Sequence, residues 1–308
     1  MTGLQTLSYF KVGEEKRGFA GIRELQRLNL LKGELVIGGL DLVKSVEDAR
    51  GACLMSKTRV STLILWWSNW DEDVVRSRSK EVLEGLQPHP NIKELDISSY
   101  PGAQFPTWMQ MGDPLSSFPR LSHLILRSLY NLEEWLLDWK ENESLPALQS
   151  LELYCCYQLK SLPVQLCNLT SLKSLKITYC NHLLSLPLEL TRLTSLERLT
   201  IGHCPSLRSL PCLAMQGQKS SLRLLDIVRC EELTSQLELQ HLTALEALQL
   251  RDCSKFKYSI QDLQYLTALK FLMIDPSIDL PESVKARVLD RFYNHNLKSW
   301  SRWESLGL

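Results

Sequence analysis

Five side chains suited to recognition chemistry recur along this chain at gaps of 25, 24, 26 and 22 residues: Tyr154, Tyr179, His203, Arg229 and Arg251. Rings and guanidinium groups of this kind stack, donate hydrogen bonds and carry charge, which is the chemistry of contact with another protein. Arg127 and Lys176 extend the series, and Trp66 and Trp67 stand upstream of it. The two tryptophans are the sharpest candidates, because exposed indoles anchor interfaces. The competing reading packs one of them beneath the segment 68–91. Other chemistries fit less well. Cys180, His182, His203 and Cys204 include zinc-ligand types, but the cysteines point inward and His203 outward, so a tetrahedral set is hard to close. The sequence has no G-x-S-x-G elbow, no H-E-x-x-H run and no G-x-x-x-x-G-K-[ST] loop. No catalytic residue, metal or cofactor is therefore expected, and the chain reads as a binding protein rather than an enzyme.

What must position these side chains is a repeated phrase. Cys156, Cys180, Cys204, Cys230 and Cys253, spaced by 24, 24, 26 and 23 residues, each close the pattern L-x-x-L-x-[LI]-x-x-C. The pattern runs Leu148-Leu151-Leu153, Leu172-Leu175-Ile177, Leu196-Leu199-Ile201, Leu222-Leu225-Ile227 and Leu245-Leu248-Leu250. A sixth phrase, Leu269-Leu272-Ile274, ends on Ser277. This is the period of leucine-rich repeats. Looser copies precede it at Leu121-Leu124-Leu126, Ile92-Leu95-Ile97 and Val60-Leu63-Leu65, with Leu35-Val36-Ile37 as an atypical unit and Leu4-Leu7 as a remnant. About eight clear repeats and one or two degenerate ones are expected.

Within each phrase the leucines alternate with period two, so the segment reads as a short strand with leucines inward. The cysteine is expected to turn the chain off the strand, with its S–H donating to a backbone carbonyl. Leu-Pro segments such as Leu162-Pro163 and Leu186-Pro187 then end the strand, and the return arm crosses the convex side as a helical turn or short extended piece. The longest arm, 68–91, carries Val75, Val82 and Leu86 on one helical face; a second, 129–146, carries Trp135, Trp139 and an acidic tip at Glu141 and Glu143. The expected fold is an α/β solenoid, a leucine-rich repeat horseshoe with a parallel sheet on its concave face. Residues 1–59 form degenerate repeats, 60–280 the repeat array, and 281–308 a capping helix and tail. No cap is evident at the start, which reads as the interior of a longer protein or as a truncated gene. About eight strands at ~4.8 Å spacing make a sheet on the order of 35–40 Å long, enough for a protein-sized interface.

Composition agrees. Lys plus Arg and Asp plus Glu number 35 each, so no global nucleic-acid footprint is expected. With 44% hydrophobic residues the chain can bury a long core, yet no run is apolar enough to span a bilayer. A signal peptide is not evident, and cysteines held inside repeats fit a reducing, cytoplasmic setting.

Longer runs carry a resemblance. Glu81-Val82-Leu83-Glu84-Gly85-Leu86-Gln87-Pro88-His89-Pro90-Asn91-Ile92-Lys93-Glu94-Leu95, followed by Phe105-Pro106-Thr107-Trp108-Met109, resembles the leucine-rich repeat region of plant coiled-coil NLR disease-resistance receptors. Gly33-Glu34-Leu35-Val36-Ile37 through Val46-Glu47-Asp48-Ala49-Arg50 resembles the same class. The resemblance implies a cytoplasmic recognition module in plant defence. Its implied partners are a pathogen effector or a guarded host protein, and a nucleotide-binding switch that it restrains in cis or in trans. The switch itself is absent from this sequence. Two further readings are a freestanding repeat protein acting as decoy or regulator, and the substrate-binding part of a ubiquitin-ligase adaptor.

Overall fold

A computed structural model describes residues 3–13, 20–69, 73–110, 118–136, 145–211, 213, 220–274 and 282–284. Its spine is an eleven-stranded parallel sheet in which each strand neighbours the next repeat's. The strands are β1 (Tyr9–Lys11), β2 (Lys32–Gly38), β3 (Arg59–Trp66), β4 (Glu94–Ser98), β5 (His123–Arg127), β6 (Ser150–Tyr154), β7 (Ser174–Thr178), β8 (Arg198–Gly202), β9 (Leu224–Val228), β11 (Ala247–Arg251) and β13 (Phe271–Met273). Two short strands on the return arms, β10 (Gln236–Leu237) and β12 (Lys257–Tyr258), pair separately. From β3 to β11 the register holds without slip, so Leu63, Leu95, Leu124, Leu151, Leu175, Leu199, Leu225 and Leu248 form one inward file. All eight are buried. The period-two alternation fixes this register, because a slip by one residue would expose the whole file.

The turn off each strand is made one residue earlier than the sequence reading places it. Ser99, Ser128, Cys155, Tyr179, His203, Arg229 and Asp252 all take left-handed backbone, with φ between 53° and 59°. The buried residue comes next: Tyr100, Leu129, Cys156, Cys180, Cys204 and Cys230. Cys253, last in the series, is half-buried. The cysteine thiols donate to strand-end carbonyls, Cys204 Sγ to Gly202 O at 3.4 Å and Cys253 Sγ to Arg251 O at 3.1 Å. From Cys180 onward each thiol also meets the one on the preceding rung, which, with burial, pushes Cys204 and Cys230 up to about 12. They are neutral, small, buried donors.

Return arms are short 3-10 turns in the regular repeats, such as Val164–Asn168 and Leu188–Arg192. The arm read as helical contains α2 (Asp73–Gly85), which buries Val75, Val82 and Leu83, with Leu86 buried just beyond. It packs on α1 (Val46–Arg50). A Cβ on Gly85 would lie 2.7 Å from Ala49 Cβ and from Val46 O, so this close approach admits only glycine. Trp108, in the short α3 (Thr107–Gln110), donates its indole N–H to Leu83 O at 3.0 Å and ties the third and fourth arms together. Trp135 is buried, whereas Trp139, Glu141 and Glu143 lie outside the described residues. Of residues 281–308, expected to form a capping helix and tail, only Glu282–Val284 is described; it is helical, and Val284 is buried in the core.

Candidate functional site

The concave side of the sheet presents parallel files of side chains, one per strand position. In the file at the strand ends, Gly38, Trp66, Ser98, Arg127, Tyr154, Thr178, Gly202, Val228 and Arg251 succeed one another in register. The left-handed residues Tyr179, His203 and Arg229 form a second file at its rim.

Trp66 is 39% exposed. Its ring rests beside Gly38, where an added Cβ would lie 3.1 Å from Trp66 Cε3 and 2.7 Å from the Tyr9 hydroxyl. An exposed Tyr9 therefore shares the shelf with Trp66, a contact the degenerate first unit kept out of the sequence reading.

Trp67 is a correction. It is 1% exposed and packs edge-on against Tyr100, with ring centroids 5.1 Å apart. The reason is local: position 67 lacks the left-handed turn found at the matching position of later repeats. Strand alternation therefore continues, and Trp67 follows Leu63 and Leu65 inward. One tryptophan of the pair is thus a core residue, as in the competing reading, with Tyr100 as its ring partner.

The other candidates lie on the concave side or its rim. Arg127 is exposed, with Nε 3.4 Å from Asp96 Oδ2. Asp96 is buried, accepts a 2.6 Å bond from Ser98 Oγ, and is pushed up by that burial. Tyr154 is 43% exposed and meets Tyr179 edge-on at 5.3 Å. Tyr179 and His203 stack in parallel at 4.2 Å. Arg229 Nε lies 3.4 Å from Asp252 Oδ2, both well exposed, so the pair is weak. Partial burial, then the Arg229 charge, lowers the His203 pKa. Turned so that its amide oxygen faces Arg251, Gln249 accepts from Nε at 2.9 Å. Lys176 is half-buried in the central file between Glu152 and Thr200. That central file is more shielded than strand alternation alone implies: Asp96, Ile125, Asp226 and Gln249 are all buried.

The geometry thus joins Arg127, Tyr154, Tyr179, His203 and Arg229 into one continuous band, with Trp66 two strands before Arg127 and Arg251 one strand beyond Arg229. It can stack, donate and carry charge; it contains no nucleophile paired with a base.

One strand per repeat, leucines inward and a continuous parallel sheet define a leucine-rich repeat solenoid. The leucine-rich repeat domain of the type III effector XopL has the same fold, with a TM-score of 0.50 at 22% identity over 81% of this chain and 71% of that one. Residues 22–137 match the family described as R13L1/DRL21 LRRs. Disease resistance protein RGA2 of Solanum bulbocastanum is 33% identical over 161 residues, covering 50% of this chain and 15% of that protein. Putative disease resistance protein RGA1 of the same species is 36% identical over 154 residues, covering 50% and 14%. The chain therefore matches only about a seventh of the length of these relatives. It is a leucine-rich repeat solenoid, and about half of its sequence is similar to plant disease resistance proteins. Among the described residues no helix is long and apolar enough to cross a membrane.

Proposed function

We propose that this chain is the recognition module of a cytoplasmic plant immune receptor, binding a pathogen effector or a guarded host protein on its concave face. In the resting state it restrains a nucleotide-binding switch. The observation that carries this reading is the band from Trp66 through Arg127 and Tyr154 to Arg229, built from the residue types that anchor protein interfaces. Similarity to plant disease resistance proteins supplies the setting. A non-enzymatic role fits a surface that offers shape and charge along a rigid solenoid.

The restraint is tested by co-expressing the chain in leaf tissue with autoactive switch regions from a panel of coiled-coil NLR receptors and scoring cell death. Suppression by the intact chain, relieved by Trp66→Ala or Tyr154→Ala at equal protein level, is the expected result. Undiminished cell death across the whole panel, with folded chain present, would rule the restraint out.

A further inference from the structure

The first three strands end in an aromatic corner of the concave face. Lys11, Gly38 and Trp66 follow one another in the strand-end file, with Tyr9, Val36 and Ile64 in the central file behind them. Tyr9 is 45% exposed and Trp66 is exposed as well, whereas Val36 and Ile64 are half-buried. Gly38 has no side chain to hold the two rings apart, and the Tyr9 hydroxyl and the Trp66 ring both close over its backbone. The rings thus form one apolar shelf open to solvent rather than two isolated side chains.

The polar groups of the shelf are free. Among the described residues, the Tyr9 hydroxyl and the Trp66 indole N–H have no hydrogen-bond partner in the protein, and the exposed Lys11 ammonium has no ion pair. The indole and the ammonium can only donate. Arg127, two strands beyond Trp66, is by contrast engaged by Asp96. Of the outward positions on β1 to β3, only Glu34 is a carboxylate. It stands four residues before Gly38, about 13 Å along the strand, beyond the ~8 Å over which exposed charges act at physiological salt. The charge at this corner is therefore positive and locally uncompensated, although the whole chain is neutral.

We infer that this corner receives an extended segment of the partner protein in which an acidic residue stands three positions from a large apolar one. The apolar side chain stacks on Trp66 and Tyr9, and the carboxylate pairs with Lys11. The Tyr9 hydroxyl and the Trp66 indole donate to backbone carbonyls between the two. The spacing follows from the sheet: Lys11 and Trp66 are two strands apart, about 10 Å, and three residues of extended chain span the same distance. The inference rests on the concave face being the protein-binding surface. An indole anchor outweighs an exposed ion pair, so the rings hold the segment and Lys11 selects its sign. A nucleic-acid strand could stack on the same rings, but a lone cation at this end of the three strands is too few for a phosphate track.

The test uses the full chain against short immobilised peptides of three kinds: Asp and Phe three residues apart, Asp and Phe adjacent, and Lys and Phe three residues apart. A mixed-sequence single-stranded RNA is a fourth probe. The variants are Trp66→Ala, Lys11→Gln and Lys11→Glu, with Tyr154→Ala as a control farther along the concave band; thermal melts confirm that each folds. The expected result is preferential retention of the spaced Asp–Phe peptides. Trp66→Ala should reduce it at least about tenfold and Lys11→Gln about two- to fivefold, Lys11→Glu should shift the preference to the Lys–Phe peptides, and Tyr154→Ala should leave it unchanged. Retention that Tyr154→Ala abolishes, and that Trp66→Ala and both Lys11 variants leave intact, would overturn the corner assignment and leave the concave-face reading standing. Equal retention of acidic and basic peptides, insensitive to Lys11, would overturn the acidic assignment. RNA held with the same dependence on Trp66 and Lys11 would overturn it in favour of a nucleic-acid platform. No retention of any peptide would overturn it too, and crosslinking at Arg127 and Tyr154 would then decide the concave-face reading by itself.

Discussion

Tyr179 and His203 stack with ring centroids 4.2 Å apart and planes within 12°, and each occupies left-handed backbone, φ 59° and φ 54°. The two facts are linked. The left-handed residue swings its side chain out to the rim of the sheet, and neighbouring strands lie about 4.8 Å apart, so rings at equivalent positions meet at stacking distance. The repeat thus builds an aromatic column from residues 24 positions apart without any loop to hold them.

The stack makes His203 a pH-dependent element. Partial burial and the Arg229 charge lower its pKa from 6.5, with Asp252 opposing and Tyr179 stacked on the ring. A lowered folded value means that the native state binds fewer protons than the unfolded chain. The stability this contributes is present above pH 6.5 and is lost as pH falls through the folded pKa. Stability measured by urea unfolding from about pH 7.5 to pH 5 should therefore fall more steeply for the wild type than for His203→Gln. Parallel curves would contradict the assignment.

The left-handed turns carry strain that glycine would relieve. Ser128 has φ 54° and is only half-buried. Ser128→Gly should be neutral or stabilising by up to about 1 kcal/mol, while Ser128→Val, β-branched, should destabilise by about 1–2 kcal/mol. Denaturant midpoints of the two variants decide it; equal midpoints would mean that the turn is not constrained.

Adjacent residues should differ sharply at the ladder. Cys204 is fully buried and donates to Gly202 O, whereas His203 is partly exposed at the rim. Cys204→Asp should cost at least about 3 kcal/mol by burying an unpaired carboxylate, and His203→Ala about 1 kcal/mol or less. Hydrogen exchange should show the Cys204→Asp loss centred on β7 to β9, because each repeat contacts only its neighbours. Similar melts for both variants would overturn the inside–outside assignment.

The strands from β3 onward were legible in the sequence because Leu63, Leu95 and their successors recur with a period that admits one register. The rim was less legible. Which residue makes the turn is a backbone matter, and Ser99, Cys155, Arg229 and Asp252 share no side-chain type that marks left-handed φ. Trp67 looked outward because the last leucine phrases place polar residues at the matching position; only the absence of that turn sends it inside. Tyr9 was missed because its unit lacks the leucine phrase.

The tryptophan pair separates core from surface. Trp67→Ala removes a buried ring packed on Tyr100 and should cost about 3–5 kcal/mol, whereas Trp66→Ala should cost about 1 kcal/mol or less. Comparable losses measured by chemical denaturation would mean that Trp66 is a packing residue and no anchor.

The most direct test of the central claim is site-specific photocrosslinking in pathogen-challenged leaf tissue. A photoreactive amino acid would replace Arg127 or Tyr154 on the concave face, or Leu188, 72% exposed on a return arm, in otherwise unchanged chains. Discrete adducts to another protein from positions 127 and 154, with none from 188, are the expected result. Adducts arising equally from 188, or none from the concave positions, would contradict the concave face as the recognition surface.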